Sequence, residues 1–346
     1  MEGYNKKVIM SYWTICRMKT TKKIYVKVSI IFLLGGILLF SSCEKEENQK
    51  IEANRKTLFM YLPWSSNLTN YFYNNISDLE KCITKIGLNN EKVIVFISTG
   101  STEAMMFEIM SSHGRCKREI LKKYKSPPFT TIDGITAILN DVKAFAPASV
   151  YTMIIGCHGM GWLPVYEMKV RSAPHMKMHW EYQGVPLTRY FGGLTAEYQT
   201  DIKSLASGIA NAGMKMEYIL FDDCYMSSIE VAYELKDVTK YLIGSTSEMM
   251  AYGMPYAAIG EYLLGNPDYQ SGCEEFYNFY STYEIMPCGT LAVTDCSELE
   301  NMAAIIKSIN SKYSFDKSLR GTIQRLDGYT PVIFYDFADY ITSLCN

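Results

Sequence analysis

The chain alternates short apolar runs with amphipathic segments from Thr57 onward. The runs "TLFMYL", "KVIVFIST", "SVYTMIIG" and "KMEYILFDD" are rich in aliphatic and aromatic residues, which is typical of strands buried on both faces. The segments between them carry helical spacing, as in "NLTNYFYNNISDLEKCITKIG", which stops at Gly87. Repeated strand–helix–strand units predict an α/β fold in which helices cover both faces of a mostly parallel sheet.

The rest of the pattern adds a hairpin and further alternating elements. The runs "AMMFEIMSS" and "RCKREILKKY" predict two strands joined by a tight turn at His113-Gly114. "TTIDGITAILNDVKAFAP" predicts a helix ended by Pro147, and "SSIEVAYELKDV" predicts another. "KYLIGSTS" predicts a further apolar strand, after which helix, strand and helix follow in turn. The long polar segment 162–198 predicts a functional loop.

The first 43 residues have the layout of an export signal. A Lys-rich start at Met18 precedes an apolar stretch from Val28 to Phe40, small residues and Cys43. The stretch is short for a membrane span, and Met18 begins a better-formed signal than Met1. The ending "LFSSC" resembles a bacterial lipoprotein box, which implies that Cys43 carries the lipid after cleavage. The alternative is a buried helix or an uncleaved anchor.

Two further segments follow this signal. Residues 44–55 form a polar charged tether, and residues 56–346 form the folded domain. The run "EKEENQK" directly after Cys43 resembles the export signals of surface-displayed lipoproteins. The resemblance implies an exported protein anchored at the outer membrane by its N-terminal lipid, with display at the cell surface as a further expectation.

Composition narrows the choice of partners. The chain has 346 residues, of which 48% are hydrophobic and 20% charged, so it can bury a large core. A formal net charge of −2 gives no basic face, and nucleic acid is not an expected partner. Ten cysteines are present without a CxxC pair, and several lie in apolar runs, so we expect mostly free thiols.

Candidate chemistry lies just after two of the apolar strands. "TMIIGCHGMGW" places His158 beyond one strand, and "MEYILFDDCYMSS" places Cys224 beyond another. Ligand sites in parallel sheets lie beyond the carboxyl ends of the strands, so we expect these residues to meet. His158 can deprotonate the thiol, and the helix-like run after Cys224 predicts a helix N-terminus that favours the thiolate. The N–H groups of Gly159 and Cys224 can form an oxyanion site.

Two acids precede the cysteine directly. Asp222 and Asp223 end the strand, and one carboxylate can face a cationic substrate side chain. Strand alternation predicts that Asp222 points toward the cleft. Alternatively, Asp222 caps the following helix or accepts a hydrogen bond from a neighbouring backbone N–H.

These residues together resemble the clostripain family of cysteine peptidases, which belongs to the clan of caspases and gingipains. The resemblance rests on "HGMGW", "FDDCYMSSIEVAYEL", "YLIGSTSEMMAYGMPY" and "FYDFADYI". It implies a caspase-like three-layer α/β/α sandwich, a His158–Cys224 dyad and an oxyanion site at Gly159. It also implies that Asp222 selects Arg or Lys before the scissile bond, with Ser247 and Glu248 in the substrate region.

The resemblance further implies an endopeptidase that acts on proteins or peptides with basic residues. Family members are often activated by cleavage after a basic residue between the His and Cys segments, and Lys169, Arg171, Lys177 and Arg189 are the candidates here. No cofactor is expected, although the resemblance implies that calcium can bind at a place that the sequence does not indicate.

Two other kinds of function compete with this interpretation. The first is a peptidase-like surface lipoprotein that has lost turnover and still binds peptides. The second is a metal protein, because His175 and His179 lie four residues apart. No glutamate follows His175, so the zinc-protease pattern fails and we predict no metal site.

Overall fold

A computed structural model describes residues 54–163, 165, 192–329 and 332–345. The predicted apolar runs form one eight-stranded sheet within a compact unit that spans Ala53–Asn346. The strands are β1 Asn54–Leu62, β2 Glu91–Ser98, β3 Glu103–Ser112, β4 Arg115–Lys125, β5 Ala148–Ile155, β6 Met216–Phe221, β7 Thr239–Gly244 and β8 Ala292–Asp295.

The sheet order is β4-β3-β2-β1-β5-β6-β7-β8. The five central strands run parallel, and β3, β4 and β8 join antiparallel at the two sides. The prediction of a mostly parallel sheet is therefore confirmed. The predicted hairpin is β3–β4, whose turn residues His113 and Gly114 have φ of 51° and 69°, as a two-residue type I′ connection requires.

Eight helices of the described residues cover the sheet. They are α1 Thr69–Ile86, α2 Ile132–Phe145, α3 Ile202–Asn211, α4 Ile229–Leu235, α5 Tyr256–Leu263, α6 Tyr269–Ser281, α7 Leu299–Lys312 and α8 Phe337–Cys345. The helix α1 ends where the sequence predicts, at Gly87, which has φ of 78° and donates its N–H to Ile83 O. Two short helices, α5 and α8, have no counterpart in the predicted elements.

Side chains alternate between two cores because successive strand residues point to opposite faces. On β1, Leu58 and Met60 pack into a core with α1, α5 and α6, whereas Phe59 and Tyr61 pack into one with α2, α3 and α4. A helix layer therefore lies on each face, and the predicted three-layer α/β/α arrangement is confirmed. No helix among the described residues is long and apolar enough to cross a membrane.

Candidate active site

The segments that carry His158 and Cys224 meet beyond the carboxyl ends of the neighbouring strands β5 and β6. The last residues of β5 and β6, Ile155 and Phe221, are partners in the parallel ladder. Two residues further along each segment, Asp223 Oδ1 accepts a hydrogen bond of 2.6 Å from Cys157 N, and Asp223 is fully buried. This carboxylate joins the two segments one position before His158 and one before Cys224.

Gly159 lies directly against the backbone of Cys224. A Cβ added to Gly159 would stand 2.3 Å from Cys224 O and 3.0 Å from Cys224 N, so a side chain has no room. Only glycine allows the two chains to approach this closely. The backbones of the two predicted oxyanion residues are therefore neighbours in space.

His158 is held at its backbone and at its ring. Its backbone N–H donates to Gly192 O at 3.2 Å, and the side chain is 1% exposed. The ring Nε2 lies 2.8 Å from Oδ1 of Asn67, a residue of the loop between β1 and α1. An amide oxygen only accepts, so this contact requires a proton on Nε2, and in the neutral ring the lone pair is then on Nδ1.

Cys224 lies in a turn and not at a helix N-terminus. Helix α4 begins at Ile229 and is capped by Ser228, whose Oγ accepts from Val231 N. The prediction of a helix dipole at the thiol is wrong, because the chain first turns through Tyr225 with φ of 60°. The donor at the sulfur is instead Met249 N, 3.1 Å from the buried Sγ, and a backbone N–H at this position favours a negative sulfur.

Asp222 accepts hydrogen bonds on both carboxylate oxygens. Met254 N lies 2.8 Å from Oδ1 and Tyr256 Oη lies 3.0 Å from Oδ2, and Asp222 is 1% exposed. The backbone N–H contact is the one that the structural alternative for Asp222 expects. The helix-capping form of that alternative is wrong, because Ser228 caps α4.

Ser247 and Glu248 run alongside the turn that carries Cys224. Ser247 O accepts from Tyr225 N at 2.9 Å, whereas its hydroxyl is hydrogen-bonded to Thr290 Oγ1 at 3.0 Å. Glu248 therefore lies between two residues that contact the Cys224 turn. Burial raises the pKa of Glu248 to about 7; the Tyr225 hydroxyl lowers it in part, and the Asp327 charge raises it.

A C-terminal turn, defined by residues 324–329 and 332–336, packs onto the same edge of the sheet. Phe334 stacks on Tyr225 with ring centroids 4.4 Å apart, and Tyr329 donates to Met160 Sδ at 3.4 Å. Asp327 orders this turn by accepting from the N–H groups of Tyr329, Ile333 and Phe334. The predicted site did not include these residues, since they lie a hundred positions from Cys224.

Several predicted residues lie outside those that the structure describes. They are Cys43, Lys169, Arg171, His175, Lys177, His179 and Arg189. Among the described residues no group of three or more His, Cys, Asp or Glu is arranged to hold a metal ion. The seven cysteines with described side chains form no disulfide bonds with one another, in line with the expected thiols: Cys82, Cys116, Cys157, Cys224, Cys273, Cys288 and Cys296.

A mostly parallel α/β sandwich with a histidine and a cysteine beyond adjoining strand ends is the arrangement expected of a caspase-like cysteine peptidase, and comparisons with known proteins identify the family. The model of the clostripain family, Peptidase C11, matches residues 60–343. The chain belongs to the clostripain family of cysteine proteases. No curated protein matches the sequence.

Solved structures give the same result. A secreted C11 cysteine protease from Bacteroides thetaiotaomicron, called iotapain, is 60% identical with a TM-score of 0.78, and the match covers 85% of this chain and 81% of that one. An inactive zymogen C11 protease from Parabacteroides distasonis is 25% identical with a TM-score of 0.68, covering 84% and 78%. The predicted family and enzyme class are confirmed.

Proposed function

We propose that the protein is an exported, lipid-anchored endopeptidase that cleaves after Arg and Lys through a His158–Cys224 dyad. The observation that supports the dyad is the close approach of the two segments: Gly159 touches the Cys224 backbone, and Asp223 bonds Cys157 N. This approach supports a pairing of His158 with Cys224 at the strand ends, where parallel sheets place their chemistry.

The proposed reaction begins with proton transfer from the Cys224 thiol to His158 Nδ1. The thiolate attacks the carbonyl carbon of the scissile bond, and the carbonyl oxygen becomes an oxyanion that accepts from Gly159 and Cys224 N–H. The His158 imidazolium then protonates the leaving amine, which departs and leaves a thioester. A water molecule deprotonated by His158 hydrolyses the thioester, and the proton returns to the Cys224 sulfur.

Two carboxylates would supply the preference for basic side chains. Asp222 is fixed by two donors, and each carboxylate oxygen can accept a further bond. Glu248 is half-buried beside the nucleophile turn, and its raised pKa shows that its surroundings do not compensate its charge fully. A guanidinium or ammonium group of the substrate would supply that compensation.

Export is supported by the signal layout and by the description of iotapain as secreted. Lipidation of Cys43 would hold the enzyme at the outer membrane, and the polar tether would present it to substrates at the surface. A cysteine peptidase with basic specificity could also cut its own chain after Lys169, Arg171, Lys177 or Arg189.

The proposed dyad is tested by turnover of an arginyl peptide substrate. Cys224→Ala should abolish cleavage, and His158→Ala should lower kcat by about a hundredfold or more, the scale of a positioned acid–base group. Cys296→Ala, at a buried thiol remote from the site, and His113→Ala, in the β3–β4 turn, are the matched controls and should retain activity. Near-wild-type turnover by folded Cys224→Ala would refute the mechanism and favour a peptide-binding role.

A further inference from the structure

We propose that Asn67 is a positioning residue of the active site, which fixes the orientation and tautomer of His158. This inference rests on the proposed function, because it assigns a role toward the proposed general base. Its central observation is the 2.8 Å contact between Asn67 Oδ1 and His158 Nε2, made between residues that are 91 positions apart in the sequence.

Asn67 lies just before helix α1, one residue outside the N-cap position. It directly precedes Leu68, the N-cap residue of α1, and that helix begins without a side-chain cap. Asparagine is among the preferred capping residues, because its amide oxygen can accept from the first N–H groups of a helix. In this protein the amide oxygen faces the histidine ring instead.

The loop that carries Asn67 is fixed on both sides. Asn67 N donates to Ser65 O at 2.9 Å, and Leu68 is fully buried in the core. Ser66 has φ of 68°, a left-handed conformation that is uncommon for serine and tends to occur where function requires it. These contacts fix the backbone from which the Asn67 side chain reaches the ring.

The same loop is joined to the backbone contact of His158. Leu194 N donates to Ser66 Oγ at 3.4 Å, and two residues earlier Gly192 O accepts from His158 N at 3.2 Å. The β1–α1 loop and the segment that starts at Gly192 therefore hold His158 together, one at the ring and one at the backbone. Asn67 itself is exposed, so its contact with the buried ring lies where the site opens to solvent.

This arrangement suits the proposed reaction. The proton on Nε2 is held by the amide, so the Nδ1 lone pair is available for the thiol proton. When Nδ1 gains that proton, the Nε2–H group becomes part of a cation, and its bond to Oδ1 strengthens. A neutral amide cannot take the proton itself, so it orients the base without competing with it.

The test uses Asn67→Ala and Asn67→Asp, with Asn70→Ala as the matched control, because Asn70 is also exposed and lies in the first turn of α1. Asn67→Ala should lower kcat on an arginyl substrate by about 10- to 100-fold, the range seen when an orienting partner of histidine is lost, with KM little changed. Asn67→Asp keeps an acceptor oxygen, so it should keep most of the kcat that Asn67→Ala loses. Asn70→Ala should match the wild type.

A spectroscopic readout separates positioning from general loss of structure. In protein labelled with ¹⁵N-histidine and carrying Cys224→Ala, the His158 ring should show the Nε2–H tautomer at about pH 8, where an ordinary imidazole is neutral. Adding Asn67→Ala should give a mixture of tautomers. Comparison with His158→Ala assigns the signal. If Asn67→Ala does not fold, Asn67→Ser, which removes the amide and keeps a polar side chain, takes its place.

The outcomes are distinct. If His158→Ala itself retains turnover, the proposed function fails. If His158→Ala is inactive while folded Asn67→Ala keeps its kcat, only the role of Asn67 is overturned. A fall in kcat with the Nε2–H tautomer unchanged also overturns that role.

Discussion

At the scale of single residues, two carboxylic acids near Cys224, Asp222 and Glu248, differ in their surroundings. Asp222 is buried and accepts from Met254 N and Tyr256 Oη. Glu248 is half-buried, and burial raises its pKa to about 7. The first carboxylate is thus stabilised by the chain itself, whereas the second would gain most from the basic side chain of the proposed substrate.

Asp222→Asn and Glu248→Gln should each cut cleavage after Arg by about 10- to 100-fold, the worth of one charge-assisted hydrogen bond. Cleavage of a matched neutral substrate should change little, since both variants keep the side-chain shape. Asp222→Asn should also lower the melting temperature, because either Met254 N or Tyr256 Oη then faces an NH₂ group in place of an acceptor oxygen. Glu234→Gln, on the exposed side of α4, is the control.

Kinetics on paired substrates would decide the roles of these acids. An equal loss on arginyl and neutral substrates for Asp222→Asn would show that Asp222 only positions the segment of Met254 and Tyr256. An equal loss for Glu248→Gln would remove Glu248 from the specificity site.

The titration of Glu248 predicts a pH dependence. Its carboxyl is neutral below about pH 7 and ionised above it, and only the ionised form attracts a basic side chain. The ratio of kcat/KM for arginyl to neutral substrates should therefore rise through pH 7 and fall up to about tenfold per unit below it. Because the same proposed dyad would cleave both substrates, its own titration cancels in this ratio. Glu248→Gln should flatten this ratio, and an equally steep curve in that variant would contradict the assignment.

At the scale of elements, the long periodic segments were predictable and the short ones were not. Helix α1 has a complete amphipathic pattern and a glycine stop, so the sequence alone locates it. Helix α5 has eight residues and includes Gly260, which packs so tightly on α1 that an added Cβ would stand 2.9 Å from Cys82 Sγ. Such a helix is stabilised by tertiary packing, which a local pattern does not show.

The residues of the candidate site also divide into those that the sequence predicts and those that it does not. His158, Gly159 and Cys224 follow apolar strands, and the strand-end rule predicts their meeting. Asn67 follows β1 and satisfies the same rule, but the proline and serines before it look like an ordinary turn. The C-terminal turn could not be predicted from pattern, because its contact with Tyr225 spans more than a hundred residues.

Among the contacts between elements, the hydrogen bond from Cys157 N to Asp223 has the clearest predicted effect on stability. Asp223→Ala should remove the bond to Cys157 N and leave that buried N–H without its carboxylate, at a cost of about 1–3 kcal/mol in the free energy of unfolding. The β5 and β6 ends should then separate slightly, and kcat should fall as well. Urea denaturation and turnover measure the two effects.

Asp237→Ala is the matched control, since its side chain is 86% exposed, and it should leave stability within about 0.5 kcal/mol of the wild type. Unchanged stability and kcat in Asp223→Ala would show that the backbone contacts alone hold the two segments together.

At the scale of the whole molecule, the remaining prediction concerns the N-terminal lipid. Radiolabelled palmitate should enter the wild-type protein and not Cys43→Ser, because the thiol of Cys43 is the proposed attachment point. The variant should leave the membrane fraction, since a protein without its acyl chains loses the apolar area that binds it there. Cys288→Ser, at an exposed cysteine of the folded domain, is the control and should keep its label, and labelling that survives in Cys43→Ser would remove the lipoprotein assignment.

The position of β5 next to β6 has a consequence for any enzyme cut between His158 and Cys224. Cleavage in that interval would yield two polypeptides, one holding β1 to β5 and the other β6 to β8. The β5–β6 ladder and a shared core that includes Met153 and Ile219 lie between the two pieces. The processed enzyme should therefore persist as a noncovalent heterodimer, which runs as two bands on a denaturing gel and as a single species in gel filtration.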